Sequence, residues 1–186
     1  MRRGPVEFHE GRQRFAFGDQ WIVAKYDDEA CSKALQKAVE GSRAVDFCGQ
    51  ASDEEVVFFI EVKDFRAYHT QNRDRIDAST GDLAREVAQK VRDSIAGIVG
   101  AGRTFDRDWT RIGKACASPK VQLVVVLWME IDSHGLTSQA IKPRLDVHRK
   151  KLKEHLRWLN ARVMLLNERV WANDIPGLQV STIARP

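Results

Sequence analysis

Three residues of this 186-residue chain have the types and spacing to do chemistry together: Asp46, Glu61 and Lys63. Glu61 and Lys63 close the apolar run VVFFIEVKDFR, Val56 to Arg66, and Asp46 lies upstream in RAVDFCG. Side chains alternate along a strand, so Glu61 and Lys63 emerge on one face while Ile60 and Val62 emerge on the other. Asp46 shares a face with Cys48, and hairpin pairing of the two runs brings it beside Glu61. Oxygen donors of this kind are what Mg²⁺ prefers. A cation held there would polarise a phosphoryl oxygen and help generate hydroxide, the requirements of phosphodiester hydrolysis. A lysine alongside orients the attacking water, acts as a base if its pKa is lowered, or stabilises charge building on phosphorus. The competing reading is an ion pair on a sheet edge.

The elements that must position these residues are legible from periodicity. RFAFGDQWIVAKY reads as an early strand or hairpin turning at Gly18-Asp19. DDEACSKALQKAVEG reads as a helix capped by Asp27 or Asp28, with Cys31, Leu35 and Ala38 as its apolar stripe and Gly41 as its end. RAVDFCG and EEVVFFIEVKD follow at hairpin spacing. Ser79-Thr80-Gly81-Asp82 resembles a capping box for a long helix from Leu83 to about Ala101, with Leu83, Val87, Val91, Ile95 and Ile98 facing the core. A loop containing FDRDWTRIGKACASPK leads to KVQLVVVLWMEI, a continuous apolar strand of the kind buried on both faces. Pro143 suits the first turn of a basic helix ending near Trp158, and ARVMLLN and LQVSTIA read as final strands, the last at an edge. Interleaved helices and strands predict one α/β domain over residues 1–186 with a mixed central sheet flanked by helices.

A helix, Asp46 on a strand, Glu61-Val62-Lys63 on its hairpin partner, then a helix and another strand: this arrangement resembles the PD-(D/E)xK nuclease superfamily, the restriction-endonuclease-like fold. The resemblance covers about Asp28 to Ile131, with residues 140–186 adding the basic helix and last strands. It departs from the name-giving pattern in having Val45 before Asp46 instead of proline. It implies Asp46 and Glu61 as Mg²⁺ ligands, with Mn²⁺ able to substitute, the Val62 carbonyl as a further ligand, and Lys63 assisting the attacking water. It also implies an acid on the first helix and a Gln or Lys on the helix after the E-x-K strand. Asp28, on the face of Cys31 and Leu35, and Lys90 of the Gln89-Lys90 pair are the candidates. Asp28 is as well explained as a helix cap, and Lys90 as a lysine snorkelling along a helix edge.

Arg66, His69, Arg73 and Arg75 follow the E-x-K strand and are placed to contact phosphates at its mouth. The helix carrying Arg149, Lys150 and Lys151 offers a second cationic surface. Both would equally be solvated polar surface. A formal net charge of +4 and a pI near 9.1 are compatible with a polyanionic partner. Three widely spaced cysteines without a CxxC exclude a zinc-ribbon pattern, and HExxH and GxxxxGK[ST] are missing. GIVGAG, Gly97 to Gly102, ends a helix and reads as its terminator. With no signal peptide or apolar run near 20 residues, the expectation is a soluble cytoplasmic protein with no membrane partner. The expected partner is DNA, with RNA served equally by such a site. The resemblance adds work as a homodimer or as a subunit of a larger complex. A non-catalytic nucleic-acid-binding or scaffold subunit in a repair or defence complex is the rival from another class.

Overall fold

The computed structural model describes residues 1–51, 55–66, 81–104, 107–131, 137–170 and 175–183. The larger of two sheets runs in the order β1 (Arg2–Arg3), β4 (Trp21–Lys25), β5 (Phe47–Ala51), β6 (Val56–Asp64), β7 (Gln122–Glu130) and β8 (Arg162–Leu166). It is mixed: β4, β5 and β6 alternate in direction, whereas β6, β7 and β8 are parallel. The smaller sheet is antiparallel, with β3 (Gln13–Phe17) between β2 (Val6–Glu10) and β9 (Leu178–Thr182). The helices are α1 (Ala30–Ala38), α2 (Asp82–Arg103), α3 (Arg107–Ala117) and α4 (Ser138–His155). No helix among the described residues is long and apolar enough to cross a membrane.

Strand alternation divides the interior in two. Val57 and Phe59 of β6 and Leu123, Val125 and Leu127 of β7 join Val87, Val91, Trp109, Ile112, Ile141 and Leu152 from the helices in one core. Phe58, Ile60, Val124, Val126 and Trp128 point the other way, to Phe15, Phe17 and Leu178 of the small sheet. The large sheet thus has α2, α3 and α4 on one face and a second sheet on the other. Each fully buried aliphatic side chain contributes roughly 1.5–3 kcal/mol. β7 is continuously apolar because both of its faces are covered.

Several local expectations are corrected. β3 and β4 do not form a hairpin: they enter different sheets, and Gly18-Asp19 is the corner between them. Asp27 and Asp28 do not cap α1. They lie in a 3-10 turn, Tyr26–Asp28, and Glu29 occupies the cap position without a side-chain bond. Gly81, at φ 71, occupies the N-cap of α2 without a side-chain bond, and the Ser79 and Thr80 of the expected capping box lie outside the described residues. FDRDWTRIGKACASPK contains α3, whose stripe Trp109, Ile112 and Cys116 is narrow enough among charges to read as a loop. Pro143 lies inside α4, whose cap is Thr137 accepting from the Ala140 N–H. β9 edges the small sheet, not the central one.

Candidate functional site

The segment before β5 is held by α2. The Arg43 N–H donates to Asp93 Oδ2 at 3.0 Å and the Val45 N–H to Ser94 Oγ at 3.1 Å. Both helix side chains are buried, and they satisfy main-chain donors that no strand partner reaches. The 3-10 turn is fixed from two sides. Its Tyr26 N–H donates to the Asp46 carbonyl at 2.7 Å, and Tyr26 Oη donates to the Ser94 carbonyl at 3.1 Å. Gly97 makes that second bond possible, because a Cβ there would lie 2.5 Å from Tyr26 Oη.

Asp46 therefore stands one residue ahead of β5 instead of within it, next to the register pair Phe47 and Ile60. Its Oδ2 accepts the Val62 N–H at 2.6 Å, which seats the carboxylate against the β6 backbone where the E-x-K residues emerge. Glu61 is 0% exposed. Its Oε1 receives the Lys90 ammonium at 2.7 Å and the Lys63 ammonium at 2.8 Å. Lys63 reaches Glu86 of α2 as well, at 3.0 Å. Burial and the nearby Glu61 push Asp46 up to about 8, against the pull of Lys90 and the Val62 N–H. Burial works to lower the Lys63 pKa, but Glu61 and Glu86 outweigh it and the net shift is upward. Lys63 is thus a stable cation, suited to stabilising charge instead of removing a proton.

Two acids that the sequence did not mark as site residues join Asp46 in a group that does not include Glu61. Glu10 from β2 and Asp27 from the 3-10 turn each bring an oxygen to Asp46, all within 4.8 Å of one another. Asp28, expected inward, is the wrong member of its pair: its side chain is 64% exposed and bonds Lys33 at 3.4 Å. The helical phase of Cys31 and Leu35 cannot be extended back to it, because α1 begins at Ala30 and the preceding turn is 3-10. Burial raises the Asp27 pKa, partly offset by Lys25. The donor set fits a hard divalent cation. It consists of carboxylates, and among the described residues Glu61 Oε2 and Asp27 Oδ1 are buried oxygens with no hydrogen-bond partner.

The expected nucleic-acid contacts are distributed otherwise. Arg66 is engaged by Asp64 at 2.8 Å and also bonds Thr182 Oγ1. His69, Arg73 and Arg75 lie outside the described residues. At 100° per residue, Lys151 projects from the flank of α4 opposite Lys142, and its Nζ lies 3.6 Å from where a Gly81 Cβ would be, at the start of α2. Lys150 is exposed between the flanks. Arg149 bonds Asp146 at 2.9 Å on the flank facing away from α2.

No family model matches the sequence, and no solved structure matches it. A cysteine–tRNA ligase from Neisseria meningitidis serogroup A / serotype 4A is 29% identical over 142 residues, covering 61% of this chain and 20% of that protein. The chain thus spans about a fifth of the length of this relative.

Proposed function

We propose that this chain is a Mg²⁺-dependent nuclease of restriction-endonuclease-like architecture that hydrolyses DNA phosphodiester bonds. The observation that carries the reading is Glu61: a fully buried carboxylate gripped through one oxygen by Lys63 and Lys90, with the other oxygen unpartnered, beside an Asp46 whose carboxyl, pushed up to about 8 by burial and by Glu61, would release its proton on binding the ion. An ionised carboxylate in the interior is costly unless its oxygens are used. A purely structural cluster would be expected to satisfy them.

In this reading Asp46 and Glu61 hold the ion, with Glu10 and Asp27 close enough to add oxygens and the Val62 carbonyl as a further donor. The ion, when bound, supplies a Lewis acid for the phosphoryl oxygen and lowers the pKa of water. Lys63 orients the attacking water and stabilises the charge on phosphorus as the water oxygen bonds to it and the bond to the leaving oxygen breaks, the water giving up its proton to solvent and the leaving oxygen taking one from solvent. Lys90 holds Glu61 through Oε1, which leaves Oε2 to the ion in this reading. Glu86 fixes the other side of the Lys63 ammonium. Lys151, beside the N-terminus of α2, and Lys150 are assigned to the substrate backbone.

The test incubates the purified chain with labelled single-stranded, double-stranded and branched DNA and with RNA, under Mg²⁺, Mn²⁺ or EDTA, beside Lys63→Ala. Metal-dependent cutting abolished by the substitution is expected. Cutting of no substrate under any metal, or cutting unchanged in Lys63→Ala, refutes the reading. A second reading is an RNA nuclease, and the resemblance to part of a cysteine–tRNA ligase is the reason to include tRNA among the substrates tested.

A further inference from the structure

At the far edge of the large sheet, β8 pairs on one side only among the described residues. A cleft of about 670 Å³ runs along its other side. The consecutive residues Asn160 to Leu166 line it. Val163 and Leu165 belong to the core on the helical side, whereas Met164 and Leu166 belong to the core under the small sheet. Residues from both faces line one cleft only when the cleft meets the strand edge-on. Alternate main-chain N–H and C=O groups of an edge strand point away from its neighbour and offer a template for another strand.

The opposite wall is cationic. Lys142, Arg149 and Lys153 recur along α4 within about 40° of one another around the helix, while Arg162 lines the cleft from the other face of β8, in phase with Met164 and Leu166. Asp146 is the one acid of the wall, and it bonds Arg149 at 2.9 Å. Among the described residues the lining has no aromatic side chain on which bases could stack, and its features there are a peptide edge and spaced cations. A second copy joined edge to edge would oppose these cations with their own counterparts, which like-charge repulsion disfavours.

We propose that the open edge of β8 and the cationic flank of α4 form a receptor groove for an extended acidic segment of a partner protein, which adds to the sheet as a seventh strand. Main-chain bonds to β8 supply affinity, and alternate acidic side chains of the segment meet Lys142, Arg149 and Lys153 on the helical side. The groove stands independently of the metal site, so an inactive nuclease would retain it.

The test uses the full chain and a short fluorescent peptide of alternating valine and glutamate, followed by anisotropy, with hydrogen exchange of the β8 amides measured in parallel. Comparators are the same peptide N-methylated at alternate residues, a valine–lysine peptide and oligothymidylate. Saturable binding is expected for the acidic peptide, together with protection of β8 amides. The N-methylated and basic peptides should fail to bind. The double charge reversal Lys142→Glu with Lys153→Glu, at exposed positions, should weaken binding by about tenfold or more. N-methylation disables strand addition without altering the protein, so instability of a variant cannot mask the answer. The proposal is overturned if the acidic peptide does not bind, if the N-methylated form binds equally well, or if only oligothymidylate protects β8.

Discussion

Two acid–base clusters occupy the same end of β6, three residues apart, and have opposite electrostatic character. Asp64 is held by Arg12 at 3.0 Å and by Arg66 at 2.8 Å, and its other oxygen is bonded by both guanidinium groups. Burial alone would raise its pKa, but the arginine bonds win and lower it to about 2. Asp46 and Glu61 have lysines, a backbone N–H and other acids around them, yet Asp46 is pushed up to about 8 and Glu61 Oε2 has no partner. Strand alternation sends the two clusters to different faces, Asp64 to the small sheet and Glu61 with Lys63 to α2. One cluster is complete in the protein alone. The other leaves a buried carboxylate oxygen without a partner among the described residues, the feature on which the proposed cation site rests.

The contrast is broken or sharpened first by catalysis. Glu61→Gln should reduce the single-turnover cleavage rate by about a thousandfold or more, whereas Asp64→Asn should leave it within about threefold once stability is matched. Equal losses would erase the distinction. Gly97→Ala should come next, because its Cβ would meet Tyr26 Oη at 2.5 Å and dislodge the turn that presents Asp27. A cost of roughly 1–3 kcal/mol is expected in urea unfolding, with weaker metal binding by calorimetry. A variant as stable as the parent would mean that the turn is not pinned there.

Asp64→Asn should destabilise the fold by about 1–2 kcal/mol, through bonds to charged partners weakened by partial exposure. The sign with pH follows from a folded pKa below the ordinary value near 4. The contribution is present above pH 4 and lost as pH falls through about 2. Asp46 behaves oppositely. Its folded pKa near 8 exceeds the ordinary value, so its stabilisation is full below pH 4 and is lost as pH rises through 8. Asp46→Asn should therefore raise the melting temperature of the metal-free protein, by a few degrees at most and more at pH 9 than at pH 5, while abolishing cleavage. A lower melting temperature at pH 9 would show that its bond to the Val62 N–H outweighs its buried charge.

Much of the site's β6 half was legible because the rules that govern it are local. A period of two puts Glu61 and Lys63 together, and a seven-residue spacing from Leu83 brings Lys90 near the buried stripe of α2, where it meets Glu61. Glu86 had a faint signal, one turn before Lys90 on the same helix face. Glu10 had none, since it reaches Asp46 only because the small sheet folds over the large one. The choice between Asp27 and Asp28 turned on a single 3-10 turn, which shifts the angular phase that an α-helical reading assumes. The basic helix misled in a similar way: composition records its charge but not its neighbours, and packing assigns Lys151 to α2 and Arg149 to the edge of β8.

By itself, then, the sequence determined the alternating strands, the long apolar stripe of α2 and the shared face of Glu61 and Lys63, since each depends on residues a few positions apart. Only the tertiary structure decided which acids join them, which face the second sheet covers and which edge stays open. Those outcomes rest on contacts between segments distant in the chain, which no local period encodes.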